Sequence, residues 1–188
     1  MRETSLRTLL RERTIVAHAD LERTPLMQAF ATGDPDPRRY LDYLRRQFRL
    51  HRGLELVLSS RVPAEWAGTR LSKSAWLAAD LRALDTPCDV PAATVPVIQS
   101  WAEALGALYV IEGSTLGLQA VRKRLRPEHP ARRGAGRFVE GYGDHAAQQW
   151  RSFLAVLEAL PRDEWTAAER AARATFDVFH RVFSEPCV

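Results

Sequence analysis

The sequence predicts an all-α protein built as a single domain over residues 1–188. Three observations carry that prediction. Alternating Val/Ile/Thr runs bounded by turns, the mark of strands, are nearly absent. Apolar residues recur with helical period along most of the chain. Prolines and glycines gather into a few clusters that punctuate the helical stretches.

A first helix is expected from about Glu3 into the low twenties, with Leu10, Ala17 and Leu21 on its apolar stripe. Pro25 and the cluster Gly33-Asp34-Pro35-Asp36-Pro37 predict loop. The second helix begins near Pro37, where proline suits a first turn. It carries Tyr40, Leu44, Phe48, His51, Leu54 and Leu58 on one face and ends before Pro63. A short Ala/Leu-rich segment follows, from about Leu71 to Leu84, and then an extended connection through Pro87, Pro91 and Pro96. The proline-free window Val97 to Arg126 predicts a long fourth helix, although it holds Gly106, Gly113 and Gly117. Pro127, Pro130, Gly134 and Gly136 make a loop. A fifth helix, about Asp144 to Leu160, turns Trp150, Phe153, Leu154 and Leu157 inward. A last helix, about Glu164 to Phe183, does the same with Ala168, Ala172, Phe176, Phe179 and Phe183. Six to eight helices are expected, with no repeat and no linker.

Composition excludes several classes. Hydrophobic residues are 46% and charged residues 27%, which is globular and neither disordered nor collagenous. No run approaches the roughly 20 apolar residues of a membrane span, and the N-terminus MRETSLRTLLRERT is too charged for a signal peptide. Two cysteines, Cys88 and Cys187, without a CxxC, make no disulfide framework. A cytoplasmic protein with no membrane association is expected. The net charge is +4, and it is unevenly spread. From Arg122 to Arg137 seven basic residues face one acid, Glu128, and from Arg38 to Arg52 six arginines face Asp42. Such patches either attract anionic partners or form a solvated surface. The basic loop is broken by Pro and Gly and no helix-turn-helix signature accompanies it, so no nucleic acid is expected.

Two local patterns ask for an explanation. Gly106, Gly113 and Gly117 fall within about 60° of one another on one helix face, although each helical glycine costs about 1 kcal/mol relative to alanine. Either a second helix packs closely on this face or a planar ligand lies on it. Thr14, His18 and Glu22 stand four residues apart along one face of the first helix. A histidine so placed is either a satisfied boundary residue or a metal ligand steadied by a carboxylate. His51 is similarly placed on the second helix and competes for that role.

The run Leu10-Arg11-Glu12-Arg13-Thr14-Ile15-Val16-Ala17-His18, with Glu22 beyond it, resembles the N-terminal helix of haem oxygenases. There a Leu-basic-Glu-x-Thr run precedes the proximal haem histidine. Tyr109-Val110-Ile111-Glu112-Gly113-Ser114-Thr115-Leu116-Gly117-Leu118-Gln119 resembles the family's distal helix. The likeness is greatest to bacterial members with YVLEGS-type motifs, which often serve bacteriophytochromes. Gly141-Tyr142-Gly143 with Trp150-Arg151 and Phe153 resembles the C-terminal segment. The resemblance covers nearly the whole chain.

It implies a haem sandwiched between a proximal N-terminal helix and a glycine-kinked distal helix. It also implies the family reaction, in which haem, O₂ and external electrons give biliverdin, Fe²⁺ and CO. Haem is then substrate and cofactor together. His18 is the implied iron ligand. Gly113, Ser114 and Gly117 form the distal catalytic wall, and Arg11, Thr14, Glu22, Arg151 and Phe176 contact or support the haem. The chemistry asks for a neutral histidine rather than a thiolate, which would favour O–O cleavage, and for no distal acid–base histidine; Gly113 to Gln119 holds none. The basic faces suit an acidic electron donor such as a ferredoxin or flavoprotein reductase, and a bacteriophytochrome is an implied recipient of biliverdin. A non-catalytic haem-binding or haem-transfer protein of the same fold is the alternative. Ser114 stands where animal-type distal helices have Asp, and Leu118 replaces the second of a common glycine pair. Ala147 occupies the place of a basic residue that many relatives offer to the haem propionates, which leaves Arg151 and Arg11 as the implied pair.

Overall fold

Ser5 opens the first helix, α1 (Leu6–Glu22), by accepting the Thr8 amide on its hydroxyl. The next exposed amides, Leu6 and Arg7, donate to the Glu158 carboxylate at 3.0 Å each, so an acid from a distant helix completes the cap. The computed structural model describes residues 5–31 and 35–186, apart from the side chains of Ala31 and Gln119; Glu3, Gly33, Asp34 and Cys187 fall outside that set. Expected loop at Pro25 is instead a short helix, α2 (Pro25–Ala31). Proline there needs no partner for a missing N–H in a first turn, and the Gln28 amide returns to the Thr24 carbonyl.

Asp36 caps α3 (Pro37–Leu58) by accepting the Arg38 and Arg39 amides. All six residues expected on its inner face are buried. A single turn, α4 (Ala64–Ala67), precedes α5 (Lys73–Ala83), and an extended stretch then leads to α6 (Trp101–Arg124), which Ser100 caps on the Glu103 amide. After the basic loop come a second one-turn helix, α7 (Arg137–Glu140), then α8 (Ala146–Glu158) and α9 (Trp165–Phe183). Nine α-helices are thus present among the described residues, and no strand. The excess over the expected count lies in α2, α4 and α7, which are too short to show periodicity.

The core forms where α6 and α9 pack together, with α1 and α3 laid on α9 and α5 on α3. Gly106 makes the closest of these approaches possible, because a Cβ there would overlap the Ala168 carbonyl of α9. At this glycine the close-packing helix is the explanation. Arg46 ties down the far end of α9 by donating to the carbonyls of Val182, Glu185 and Pro186. By length and composition α6 is the one described helix that could cross a membrane. In the fold it is the central helix, packed on α7, α8 and α9, and it carries a buried ion-paired Glu112.

Candidate active site

α1 and α6 each pack on the fold without closing on one another, and a cavity of about 850 Å³ lies between them. That volume is in the upper part of the roughly 300–1,000 Å³ usual for ligand and cofactor pockets. Phe176, Phe179 and Phe183 of α9 contribute an apolar wall. The facing walls are the two patterns singled out in the sequence.

On the α1 wall His18 has a side chain 58% exposed, and its Nδ1 lies 3.6 Å from Glu22 Oε1. The separation is long for a hydrogen bond, so the carboxylate is a near neighbour of the ring and not a bonded partner. Phe176 meets the imidazole edge-on at 5.8 Å between centroids. Nε2 has no hydrogen-bond partner among the described residues. A carboxylate beside one ring nitrogen and an open second nitrogen is the arrangement from which a metal-ligating histidine is built. No three His, Cys, Asp or Glu side chains converge among the described residues. His18 therefore offers one ligand, which suits a metal whose other positions a macrocycle fills. Thr14 lines the same wall, with its hydroxyl donating to the Leu10 carbonyl at 2.7 Å.

On the α6 wall stand Gly113, Ser114 and Gly117. A Cβ at Gly117 would meet nothing within 4 Å, and one at Gly113 only a Trp150 ring carbon at 3.8 Å. The missing side chains leave bare backbone facing the cavity, with room for a flat group against it. The glycine stripe therefore divides: Gly106 serves packing, Gly113 and Gly117 serve the cavity. Ser114 donates its hydroxyl proton back to the Ile111 carbonyl at 2.8 Å, which leaves its oxygen free to accept. Leu118 lines the same wall, as its bulk at that position implies.

Arg7 and Arg11 border both this cavity and a shallow groove beside it. The Tyr109 phenol sits near them: burial raises its pKa, and the two guanidiniums partly offset the rise. Arg151, expected at the cavity mouth, lines only the groove. Trp150 is the α8 residue on the cavity wall, and the next position on a helix points about 100° away. Arg7 was not anticipated. It lies eleven residues before His18, within about 20° of it on the helix face, so the periodicity that singles out Arg11 extends to it. Gln47, also unanticipated, lines the cavity and donates to the Tyr43 hydroxyl at 3.0 Å, while its buried Oε1 lacks a protein partner.

His51 is not on this cavity. It is fully buried between Phe138 and Phe179, and neither ring nitrogen has a protein partner. Burial pushes its pKa down from 6.5 to about 3, and Lys73 adds to the effect. Through that window the unfolded chain binds a proton that the folded chain refuses. Stability conferred by the neutral ring therefore falls as pH drops from about 6.5 toward 3, by up to about 1.4 kcal/mol per pH unit. Urea unfolding of the wild type and His51→Leu at pH 7, 6 and 5 should show the acid slope reduced in the variant. Equal slopes would mean that the folded protein protonates His51 freely.

The family model described as "Heme oxygenase" matches residues 4–185. A protein named "Heme oxygenase" from Xanthomonas campestris pv. campestris is 38% identical over 168 residues, covering 82% of this chain and 94% of that one. "Heme oxygenase PigA" from Pseudomonas aeruginosa is 40% identical over 84 residues, 44% of this chain and 41% of that protein. Among solved structures, the NO- and CO-bound haem oxygenase from Neisseria meningitidis superposes with a TM-score of 0.73 at 21% identity, over 98% of this chain and 94% of that one. The haem oxygenase from Leptospira interrogans gives 0.73 at 17% identity, over 97% and 100%. These two show a common fold.

Proposed function

Because the chain belongs to the haem oxygenase family, we propose that it takes haem into the cavity between α1 and α6 and opens it to biliverdin, Fe²⁺ and CO. One observation supports this reading above the others: His18 and the bare backbone at Gly113–Gly117 line opposite walls of one apolar cavity. When bound, haem supplies both the iron that handles O₂ and the meso carbon that is oxidised.

The chain's own residues do the rest. His18 holds the iron through its open nitrogen, and Glu22 orients the ring from the other side. Gly113 and Gly117 let α6 stand close over the macrocycle and keep bulky groups away from the reacting edge. Ser114 Oγ, free as an acceptor, is the hydroxyl available to hold a water that delivers protons. Phe176, Phe179 and Phe183 exclude bulk solvent from the apolar edge.

Arg11 and Arg7, which border the cavity, hold the propionates in place of Arg151. Arg11→Ala should weaken haem binding by about 1–3 kcal/mol, the range of a charge-assisted hydrogen bond, and Arg151→Ala should not. Haem titration of both variants checks this, and equal losses would return Arg151 to the cavity mouth. Arg151 instead joins Arg7 and Arg11 in a groove where three arginines outnumber Glu12 and Glu158; with the basic runs of the chain, this suits an acidic electron donor, a ferredoxin or flavoprotein reductase. Cytoplasmic location and delivery of biliverdin to a bacteriophytochrome complete the proposal; Cys88 is a free thiol, as a reducing compartment favours.

The test is spectroscopic. Haem should form a 1:1 complex with a sharp Soret band, and reductant with O₂ should convert it to biliverdin with release of CO. A Soret complex that reductant and O₂ leave intact would favour the haem-carrier alternative.

A further inference from the structure

Behind the cavity, on the opposite side of α6, a buried charge cluster fastens the residue next to Gly113. Glu112 has a side chain 1% exposed. Its Oε1 accepts Lys73 Nζ at 2.7 Å and the Tyr142 hydroxyl at 2.9 Å. Its Oε2 accepts Arg70 Nη1 at 2.8 Å. Lys73 is fully buried and also donates to the Arg70 carbonyl at 2.8 Å. Arg70 Nη2 reaches Ser152 Oγ at 2.9 Å on α8, the helix whose Trp150 stands beside Gly113. Burial and the Glu112 carboxylate push the Tyr142 phenol above its ordinary range, so it stays a donor. None of the four side chains lines the cavity.

Stability is a poor explanation for this cluster. Replacing buried ions with well-packed apolar groups is often neutral or stabilising. What a fully satisfied cluster does well is fix geometry, because each bond has one length and one direction. On its cavity face α6 has little to fix it: no Cβ at Gly117, none at Gly113. The seat of this helix segment is set from the rear.

Resting on the haem oxygenase reading, we propose that Arg70, Lys73 and Tyr142 are positioning residues that act through Glu112. They set the height and rotation of the Gly113–Gly117 backbone over the ring, and so determine which meso carbon is opened. The carboxylate is the point of attachment because it lies one residue from Gly113 and draws bonds from α5, from the turn at Tyr142 and from the segment before α5.

The test uses the full chain loaded with haem, as wild type, Glu112→Gln and Tyr142→Phe. Three quantities are read: haem affinity, the C–O stretching frequency of the ferrous CO complex, and the ratio of biliverdin isomers by chromatography. Affinity should stay within about threefold of wild type. The C–O band should shift, the isomer ratio should change, and kcat should fall on the order of tenfold with KM for haem unchanged. Should Glu112→Gln fail to fold, Tyr142→Phe, which deletes one hydroxyl, decides alone. A folded Tyr142→Phe with wild-type C–O band and isomer ratio overturns the positioning role. A wild type that forms no specific Soret complex overturns the haem reading itself.

Discussion

Replacing His18 with alanine is expected to abolish biliverdin formation while leaving some haem bound. Binding and turnover separate here because they rest on different groups. In the proposed site much of the affinity would come from apolar burial against Phe176, Phe179, Leu118 and the glycine wall, all of which line the cavity and which the substitution leaves in place. Turnover needs a neutral nitrogen ligand on the iron, and among the described residues no other histidine lines the cavity; His51, the competitor, is sealed in the core. Loss on the order of 10³-fold in turnover, about 4 kcal/mol of barrier, is expected, together with a changed Soret band. Imidazole added to His18→Ala should restore part of the activity, since the deletion opens space beside Phe176. Glu22→Gln should cost less, near the lower end of the 10- to 100-fold typical of ligand-orienting groups, because Glu22 is exposed and 3.6 Å away. Wild-type turnover in His18→Ala, measured as biliverdin absorbance, would move the ligand elsewhere.

Most of the frame was legible in the sequence. α3, α6 and α9 are long enough for their apolar faces to repeat several times, and Pro37, the proline-rich connection and the basic loop bound them clearly. The short helices were not legible, since four to seven residues barely complete a turn or two. The site was half legible for a related reason. Periodicity says which residues share a face, not what that face meets. His18 and His51 both flank apolar stripes, but one stripe meets a cavity and the other meets Phe138 and Phe179. Gly106 and Gly117 share a face of α6 and lie eleven residues apart, about 16 Å along the axis. Over that distance the helix passes from contact with Ala168 to the cavity wall. Arg151 lines the groove and not the cavity, one helical step from Trp150, while Arg7 borders the cavity with a spacing from His18 as good as that of Arg11. The Glu112 cluster draws on Arg70, Lys73 and Tyr142, which are scattered along the chain, so no spacing rule could assemble it.

Gly117→Leu is expected to separate folding from function in the opposite sense to a core substitution. In the protein without ligand, a side chain at position 117 enters open space, because a Cβ there meets nothing within 4 Å. Leucine is also a far better helix former than glycine, by up to about 1 kcal/mol. The apo variant should therefore unfold at the same or a higher temperature than wild type. The same side chain would enter the cavity volume that the proposed site gives to the ring and O₂. Haem affinity should fall by about 100-fold or more, near 3 kcal/mol, and biliverdin yield with it. Gly117→Ala, adding only a methyl group, should lie between. At Gly106 the order reverses: alanine there meets the Ala168 carbonyl and should destabilise the fold whether or not haem is present. Thermal unfolding of the apo proteins and Soret titration of each variant read the two effects independently. A Gly117→Leu variant that folds, binds haem as wild type does and yields as much biliverdin would remove α6 as the distal wall, and with it the reason for a glycine at that position.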